Sequence, residues 1–151
     1  MKRTLFTSIL ALLISGTAAL SATIEIDTER RELTLYQDDG VIRTWPVGVA
    51  RSGFEWSGTM PVTRKAEWPG WRPPAKMRKR HPDLPAYMPG GPDNPLGARA
   101  LYLGNSLYRI HGSNEPDSIG HAVSSGCIRM TNEHVIELYD LVPIGTTVIV
   151  R

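Results

Sequence analysis

Short runs in which apolar and polar residues alternate constrain the fold of this chain more than any other feature. A period of two is that of a strand with one buried face. The runs that alternate are residues 23–27 and 32–37. Further strands are expected over residues 41–45, 47–49, 100–103 and 107–110, and over residues 146–150, which are rich in β-branched residues. Asp38-Asp39-Gly40 and Gly104-Asn105-Ser106 have the composition of tight turns between neighbouring strands. The chain should therefore be mainly β and should open as an antiparallel meander.

One stretch has helical spacing instead. Thr131 can cap a helix whose apolar residues follow the i, i+3, i+4, i+7 pattern of a buried helical face. These residues are Val135, Leu138, Tyr139 and Val142, and Pro143 follows them. We expect one short helix here, followed by the closing strand.

The segment from Phe54 to Gly97 has a different composition. It holds nine of the twelve prolines, three of the four tryptophans at positions 56, 68 and 71, and several glycines. Regular structure should be sparse in such a segment, and its tryptophans favour an ordered flap packed on the body of the domain. Its basic residues are Arg72, Lys76, Arg78, Lys79, Arg80 and His81. They form either a solvated face or a patch for an anionic polymer or substrate carboxylates.

The N-terminus has the layout of a secretory signal peptide. Lys2 and Arg3 precede an apolar run over residues 5–14, and small residues follow it. We expect residues 1–22 to be removed by cleavage near 19–22, leaving one domain over residues 23–151 in the periplasm. The apolar run is too short to span a bilayer, so no stable membrane span should remain after cleavage. Without Lys2 and Arg3 the chain has fifteen basic and fifteen acidic residues, which argues against a nucleic-acid partner.

Cys127 is the only cysteine, which is unusual in an exported protein. It is a catalytic thiol, an inert buried residue or half of an intermolecular disulfide. His111 ends an apolar strand sixteen positions earlier and could supply the base that a thiol nucleophile needs. Gly112 or Ser113 could offer a carbonyl to the second imidazole nitrogen. The turn 124–127 could direct backbone N–H groups at an oxyanion.

Other histidines leave alternatives open. His121 lies six positions before Cys127, and His134 follows it in the order that papain-like enzymes use. Each could serve as the base, although a surface position and a solvated helix position are the simpler interpretations. A zinc site built from His81, His111, His121 and Cys127 lacks the close ligand pairs of known zinc motifs. We therefore expect no zinc site here.

The residues around His111 and Cys127 resemble the catalytic signature of the L,D-transpeptidase (YkuD-type) family. That signature joins a His-Gly-Thr/Ser element to a Ser-x-Gly-Cys-Ile-Arg element at the spacing found here. The resemblance extends over nearly all of residues 23–151. It implies an L,D-transpeptidase-like β-sandwich or barrel with one short helix and a long flap rich in Pro, Gly and Trp. Many members carry histidine where this chain has Ser125.

The resemblance assigns roles to individual residues. It implies Cys127 as nucleophile, His111 as base and Gly112 as the main-chain group that orients the base. On the substrate and oxyanion side it implies Ser124, Gly126 and Arg129, and Ser113 and Ser125 are further candidates from their positions beside His111 and Cys127. Arg129 and Arg99 are candidates to hold a substrate carboxylate or to form structural ion pairs.

The function implied by the resemblance is a peptidoglycan L,D-transpeptidase. It would cross-link diamino acid residues of stem peptides through a cysteine thioester, and carbapenem-type β-lactams would acylate the same cysteine. A wall-attached protein is a possible acyl acceptor. The resemblance also implies that no metal and no organic cofactor are required. The alternatives are an L,D-carboxypeptidase, another thiol hydrolase of wall peptides, and an inactive wall-binding module.

Overall fold

The computed structural model describes residues 21–38, 40 and 42–151. The expected signal peptide falls almost wholly outside these residues, as does Asp39 in the first expected turn. The strands are β1 (Ala22–Asp27), β2 (Glu32–Gln37), β3 (Ile42–Pro46), β4 (Val49–Ala50), β5 (Gly58–Glu67), β6 (Arg99–Leu103), β7 (Arg109–His111), β8 (Ala122–Ser124), β9 (Ile128–Arg129) and β10 (Thr147–Val150). The helices are α1 (Ala75–Arg80) and α2 (Asn132–Leu141), with a 3₁₀ turn over Pro116–Ser118.

The main sheet is curled. Eight strands follow one another in the order β3-β2-β1-β10-β5-β6-β7-β9. Gly48, just beyond β3, exchanges two backbone hydrogen bonds of 2.8 and 2.9 Å with Arg129 of β9. Because β3 and β9 lie at opposite ends of the strand order, this bridge brings the two edges of the sheet together. The expected mainly β, barrel-like class is confirmed.

Alternate residues of the first two strands fill the centre. Ile24 and Ile26 of β1 and Leu33 and Leu35 of β2 are fully buried, as the alternating pattern predicts. Ile110 of β7 and Ile128 of β9 join the same core cluster. Burial of each such side chain stabilises the fold by about 1.5–3 kcal/mol. It also fixes which residues of these strands face away from the core.

Helix α2 confirms the expectation for the C-terminal region. The hydroxyl of its cap, Thr131, accepts a hydrogen bond from the His134 N–H at 3.2 Å. Lys65 of β5 donates to the carbonyls of Tyr139 and Val142 at 2.6 and 2.8 Å, which secures the last turn of the helix. Within the described part of the chain, neither helix is long and apolar enough to cross a bilayer.

The expectation of sparse structure over residues 54–97 was wrong for its first part. Strand β5 covers Gly58–Glu67, and Pro61 in its middle obscures it in the sequence. Pro61 is the last residue of β5 paired with β10, and from Val62 onward the strand pairs with β6 through an irregular register. Proline is tolerated where a strand bends and changes partner. The flap proper begins only after Glu67.

The expectation of one helix was incomplete. The flap contains α1, whose six residues Ala-Lys-Met-Arg-Lys-Arg are mostly strong helix formers and follow Pro74. Surrounding prolines and glycines conceal this short segment in a composition-based prediction. The expected loop over 113–125 likewise contains β8, which pairs in parallel with β4.

Candidate active site

Strands β7 and β9 form the base of the site. They are parallel neighbours, with Ile110 opposite Ile128 and His111 opposite Arg129. Because both isoleucines enter the core, the residues before and after them face the other way. Those residues line one cavity of about 520 Å³, and they are Arg109, His111, Cys127 and Arg129. The fold thus brings the expected thiol and the expected base to the same wall.

The imidazole of His111 is buried and held in one orientation. Its Nδ1 lies 2.5 Å from the carbonyl oxygen of Gly112. A carbonyl oxygen can only accept, so Nδ1 carries the hydrogen and Nε2 keeps the lone pair. Of the two carbonyls considered from sequence, the structure places that of Gly112 on the ring. This is the tautomer that a general base requires.

The thiol of Cys127 and the imidazole of His111 are both uncharged in the resting site. Burial lowers the pKa of His111 to about 3; the charges of Arg129 and Arg109 act in the same direction, and the Gly112 carbonyl opposes them. Burial also raises the pKa of the Cys127 thiol, against the opposing influence of Arg109 and Arg129. The thiol donates to the Leu107 carbonyl at 3.7 Å. At neutral pH the pair is therefore a thiol and a neutral imidazole.

The low pKa of His111 predicts a loss of stability in acid. The unfolded chain protonates this imidazole below about pH 6.5, whereas the folded protein does not until about pH 3. Stability from the neutral ring is fully present above pH 6.5 and falls by about 1.4 kcal/mol per pH unit as the pH drops. Between about pH 7 and about pH 5, the free energy of unfolding in urea should fall by about 2 kcal/mol more in wild type than in His111→Gln. Equal losses would contradict a buried neutral imidazole.

Ser124 organises the turn that carries Cys127. Its buried hydroxyl donates to the Cys127 carbonyl at 2.6 Å and accepts from the Gly126 N–H at 3.1 Å. The Gly126 N–H is therefore engaged within the turn. This leaves the N–H groups of Ser125 and Cys127 as the turn's candidates for an oxyanion.

Trp56 and Tyr108 pack against the turn that carries Cys127, and the sequence did not indicate either of them as a site residue. Trp56 Nε1 donates to the Gly126 carbonyl at 2.7 Å. Its ring stacks on Tyr108, with centroids 4.3 Å apart and planes 3° from parallel. Gly126 has φ +119°, and the Tyr108 ring occupies the space that a Cβ would need. Seventy positions separate Trp56 from Gly126, so no local pattern links them.

Asn132 is a second group that sequence reasoning missed. Its Oδ1 accepts from the backbone N–H of Ala98 at 2.9 Å and of Ser113 at 3.2 Å. The same oxygen fills the space next to Gly112 that a side chain would need. Asn132 therefore holds the segment whose Gly112 carbonyl orients His111. Its position beside the cap of α2 was the one available signal.

Replacing Asn132 should separate its role in positioning from a general loss of packing. Asn132→Leu keeps the size but leaves two buried N–H groups unpaired, at about 1–3 kcal/mol for each. It should lower kcat for acylation of Cys127 up to about 100-fold with little change in KM, because the imidazole of His111, the expected base, is displaced. Asn132→Asp retains both acceptor bonds and should recover most of the stability in thermal melts. Wild-type kinetics in Asn132→Leu would contradict the assignment.

The two candidate carboxylate-binding arginines lie in different places. Arg129 lines the cavity and pairs with Glu115 at 2.9 Å. Arg99 is not among the residues lining the cavity; it lies 3.8 Å from Glu67 and donates to the Ala98 carbonyl. Ser125 lines the cavity, whereas the buried Ser113 hydroxyl accepts from the Glu115 N–H at 2.9 Å.

None of the other three histidines, His81, His121 and His134, lines the cavity. His121 is exposed, and His134 lies in the first turn of α2. Neither contributes to the cavity wall. Over residues 21–38, 40 and 42–151, no group of three or more His, Cys, Asp or Glu side chains is arranged to hold a metal ion.

Comparison with known proteins gives one consistent family. A family model described as the L,D-transpeptidase catalytic domain matches residues 21–150. Probable L,D-transpeptidase ErfK/SrfK of Escherichia coli (strain K12) is 43% identical over 128 residues, covering 78% of this chain and 40% of that protein. Putative L,D-transpeptidase YqjB of Bacillus subtilis (strain 168) is 34% identical over 131 residues, covering 83% of this chain and 68% of that protein.

A solved structure shares the fold. It is the crystal structure of L,D-transpeptidase 3 from Mycobacterium tuberculosis in complex with a faropenem-derived adduct. It matches with a TM-score of 0.69 at 17% identity, over 87% of this chain and 60% of that one. The chain spans well under half the length of the E. coli relative.

Proposed function

This chain belongs to the L,D-transpeptidase catalytic-domain family, and on that premise we propose that it is a cysteine acyltransferase acting on peptidoglycan stem peptides in the periplasm. Residues 1–22 are the export signal in this proposal, and residues 23–151 are the catalytic domain. The observation that carries the proposal is the placement of Cys127 and His111 on one cavity wall, with the imidazole fixed by the Gly112 carbonyl.

The first half-reaction transfers the donor to the thiol. Cys127 Sγ attacks the carbonyl between the L-centre of the diamino acid residue and the terminal D-alanine, while Nε2 of His111 takes the thiol proton. The oxyanion accepts hydrogen bonds from the turn, with the N–H groups of Ser125 and Cys127 as the nearest choice. The C–N bond then breaks, and D-alanine leaves with the proton from His111. A thioester on Cys127 remains.

The second half-reaction releases the thioester. An amine of a neighbouring stem, or of a wall-attached protein, attacks the thioester carbonyl and gives its proton to His111. A new amide forms, and the thiol recovers the proton. Because burial keeps the imidazole neutral at neutral pH, its Nε2 lone pair is available at each attack.

A carbapenem tests whether the thiol is nucleophilic. Wild-type protein incubated with imipenem should gain the mass of one drug molecule in intact-mass spectrometry. Cys127→Ala should gain none. An unmodified wild type, or equal labelling of both proteins, would count against the proposal and favour a wall-binding module.

Muropeptide analysis tests the reaction itself. With a tetrapeptide donor and an amine-bearing acceptor stem, the enzyme should form a cross-linked dimer and release D-alanine. Release of D-alanine without dimer, at the same rate with or without acceptor, would identify an L,D-carboxypeptidase instead.

A further inference from the structure

The cavity above Cys127 is lined by an unusual set of charges. Four basic side chains contribute to its wall, namely Lys76, Arg80, Arg109 and Arg129. No aspartate or glutamate lines it among the described residues. Only Arg129 of the four has a carboxylate partner within that part of the chain, Glu115 at 2.9 Å. The cavity therefore presents uncompensated positive charge beside the reacting sulfur.

Two of these cations come from the flap helix α1. Lys76, Met77 and Arg80 line the cavity, as expected for one face of a helix. Arg78 and Lys79 lie on the same helix but not in the cavity wall. The Arg80 guanidinium lies 5.2 Å from the centre of the Phe54 ring, and Phe54 is itself part of the wall. This contact joins α1 to another part of the cavity wall.

Such a site favours an anion over a neutral ligand. Like charges around a partly enclosed cavity focus a positive potential and attract anionic substrates. Arginine matches the planar carboxylate with two parallel hydrogen bonds, and lysine adds a point charge. Met77, Trp71 and Leu96 add apolar surface to the same wall, which suits a peptide that carries carboxylates along an otherwise uncharged backbone.

We propose that Lys76 and Arg80 of the flap, facing Arg109 and Arg129, form a carboxylate subsite that selects donor stems with free carboxylates over amidated ones. The inference rests on the proposed acyl transfer and specifies its donor. The amide of an amidated stem keeps the size but removes the charge, so it forfeits the ionic contacts with this wall.

Matched variants on α1 test the subsite. Lys76→Glu/Arg80→Glu reverses the two cations in the wall, and Arg78→Glu/Lys79→Glu makes the same changes outside it. Helix α1 has no buried residue, so both proteins should fold, and thermal melts verify this. Steady-state kinetics are measured with a tetrapeptide donor in its free-acid form and with its side-chain carboxylates amidated.

The wall variant should raise KM for the free-acid donor by about tenfold or more, with kcat changed much less. For Arg78→Glu/Lys79→Glu, the outer variant, KM for the free-acid donor should stay within about twofold of the wild-type value. With the amidated donor, the difference between the two variants should largely disappear. Equal effects of both variants, or a wild type that prefers the amidated donor, would overturn the subsite.

A binding measurement separates this inference from the proposed reaction. Cys127→Ser is titrated with the two tetrapeptides, and tryptophan fluorescence reports occupancy because Trp71 lines the cavity. Tighter binding of the free acid, lost in Cys127→Ser/Lys76→Glu/Arg80→Glu, would support the subsite even if wild type turned over neither peptide. In that case the acyl-transfer proposal alone would fail. Equal affinity for both peptides would refute the subsite.

Discussion

His111→Ala is expected to lower the second-order rate constant for acylation of Cys127 by about a thousandfold or more. Burial raises the pKa of the Cys127 thiol, so little thiolate is present at neutral pH. Attack therefore depends on removal of the thiol proton by a base as the new bond forms. Stopped-flow fluorescence or intact-mass time courses with imipenem measure this constant.

The pH profile of acylation distinguishes a lost base from a damaged fold. Wild type should keep a nearly constant rate down to about pH 4, because the pKa of His111 is about 3. The residual rate of His111→Ala should rise about tenfold per pH unit until the thiol itself ionises. His121→Ala, the same change at an exposed histidine, should behave as wild type. Loss of acylation in His121→Ala or His134→Ala, with retention in His111→Ala, would contradict the assignment of the base.

Gly126→Ala is expected to destabilise the fold by about 3 kcal/mol and to slow acylation by more than about 100-fold. A side chain at φ +119° is strained, and its Cβ would enter the space of the Tyr108 ring. Relief of that clash must move the turn that carries Cys127 or break the stacking of Tyr108 on Trp56. Urea unfolding and imipenem acylation measure the two effects.

Two further variants divide the effect of Gly126→Ala. Gly145 also has a positive φ, +95°, but nothing lies within 4 Å of the place its Cβ would take. Gly145→Ala should therefore cost only about 1 kcal/mol and leave acylation unchanged. Tyr108→Leu should partly rescue Gly126→Ala. A cost for Gly126→Ala no greater than that for Gly145→Ala would show that the turn is not tightly clamped.

Local pattern was sufficient for most of the strands, including β7, which carries His111. It did not predict the two-residue strand β9 that pairs with β7. The alternation around Ile24 and Leu33 identified the buried faces because each of these strands has one face in the core and one face outside it. The closing strand β10 was identified by its β-branched residues. The Thr131 cap and the apolar spacing after it identified α2 for the same local reason. His111 and Cys127 were paired because a lone thiol needs a base and because the surrounding residues resemble a known signature.

The features that were missed depend on contacts between distant residues. Pro61 argued against a strand, yet it lies where β5 changes from one partner to another. Asn132 and Trp56 reach the site through hydrogen bonds to backbone groups 19 or more positions away. The pKa of His111 depends on how completely the fold buries the ring, which its neighbours in sequence do not determine. The cationic wall could be recognised only once the structure gave the position of α1. In the sequence, the basic residues of this helix suited a solvated face as well as an anion-binding patch.

The proposed mechanism depends on a thioester at Cys127, and trapping this intermediate is its most direct test. Wild-type protein is mixed with a tetrapeptide donor in the absence of acceptor, quenched in acid and analysed by intact mass and peptide mapping. The expected result is an added mass equal to the donor acyl group without D-alanine. It should be located on the peptide that contains Cys127 and absent from Cys127→Ala. Release of D-alanine by Cys127→Ala at the wild-type rate, or an adduct on any other residue, would contradict it.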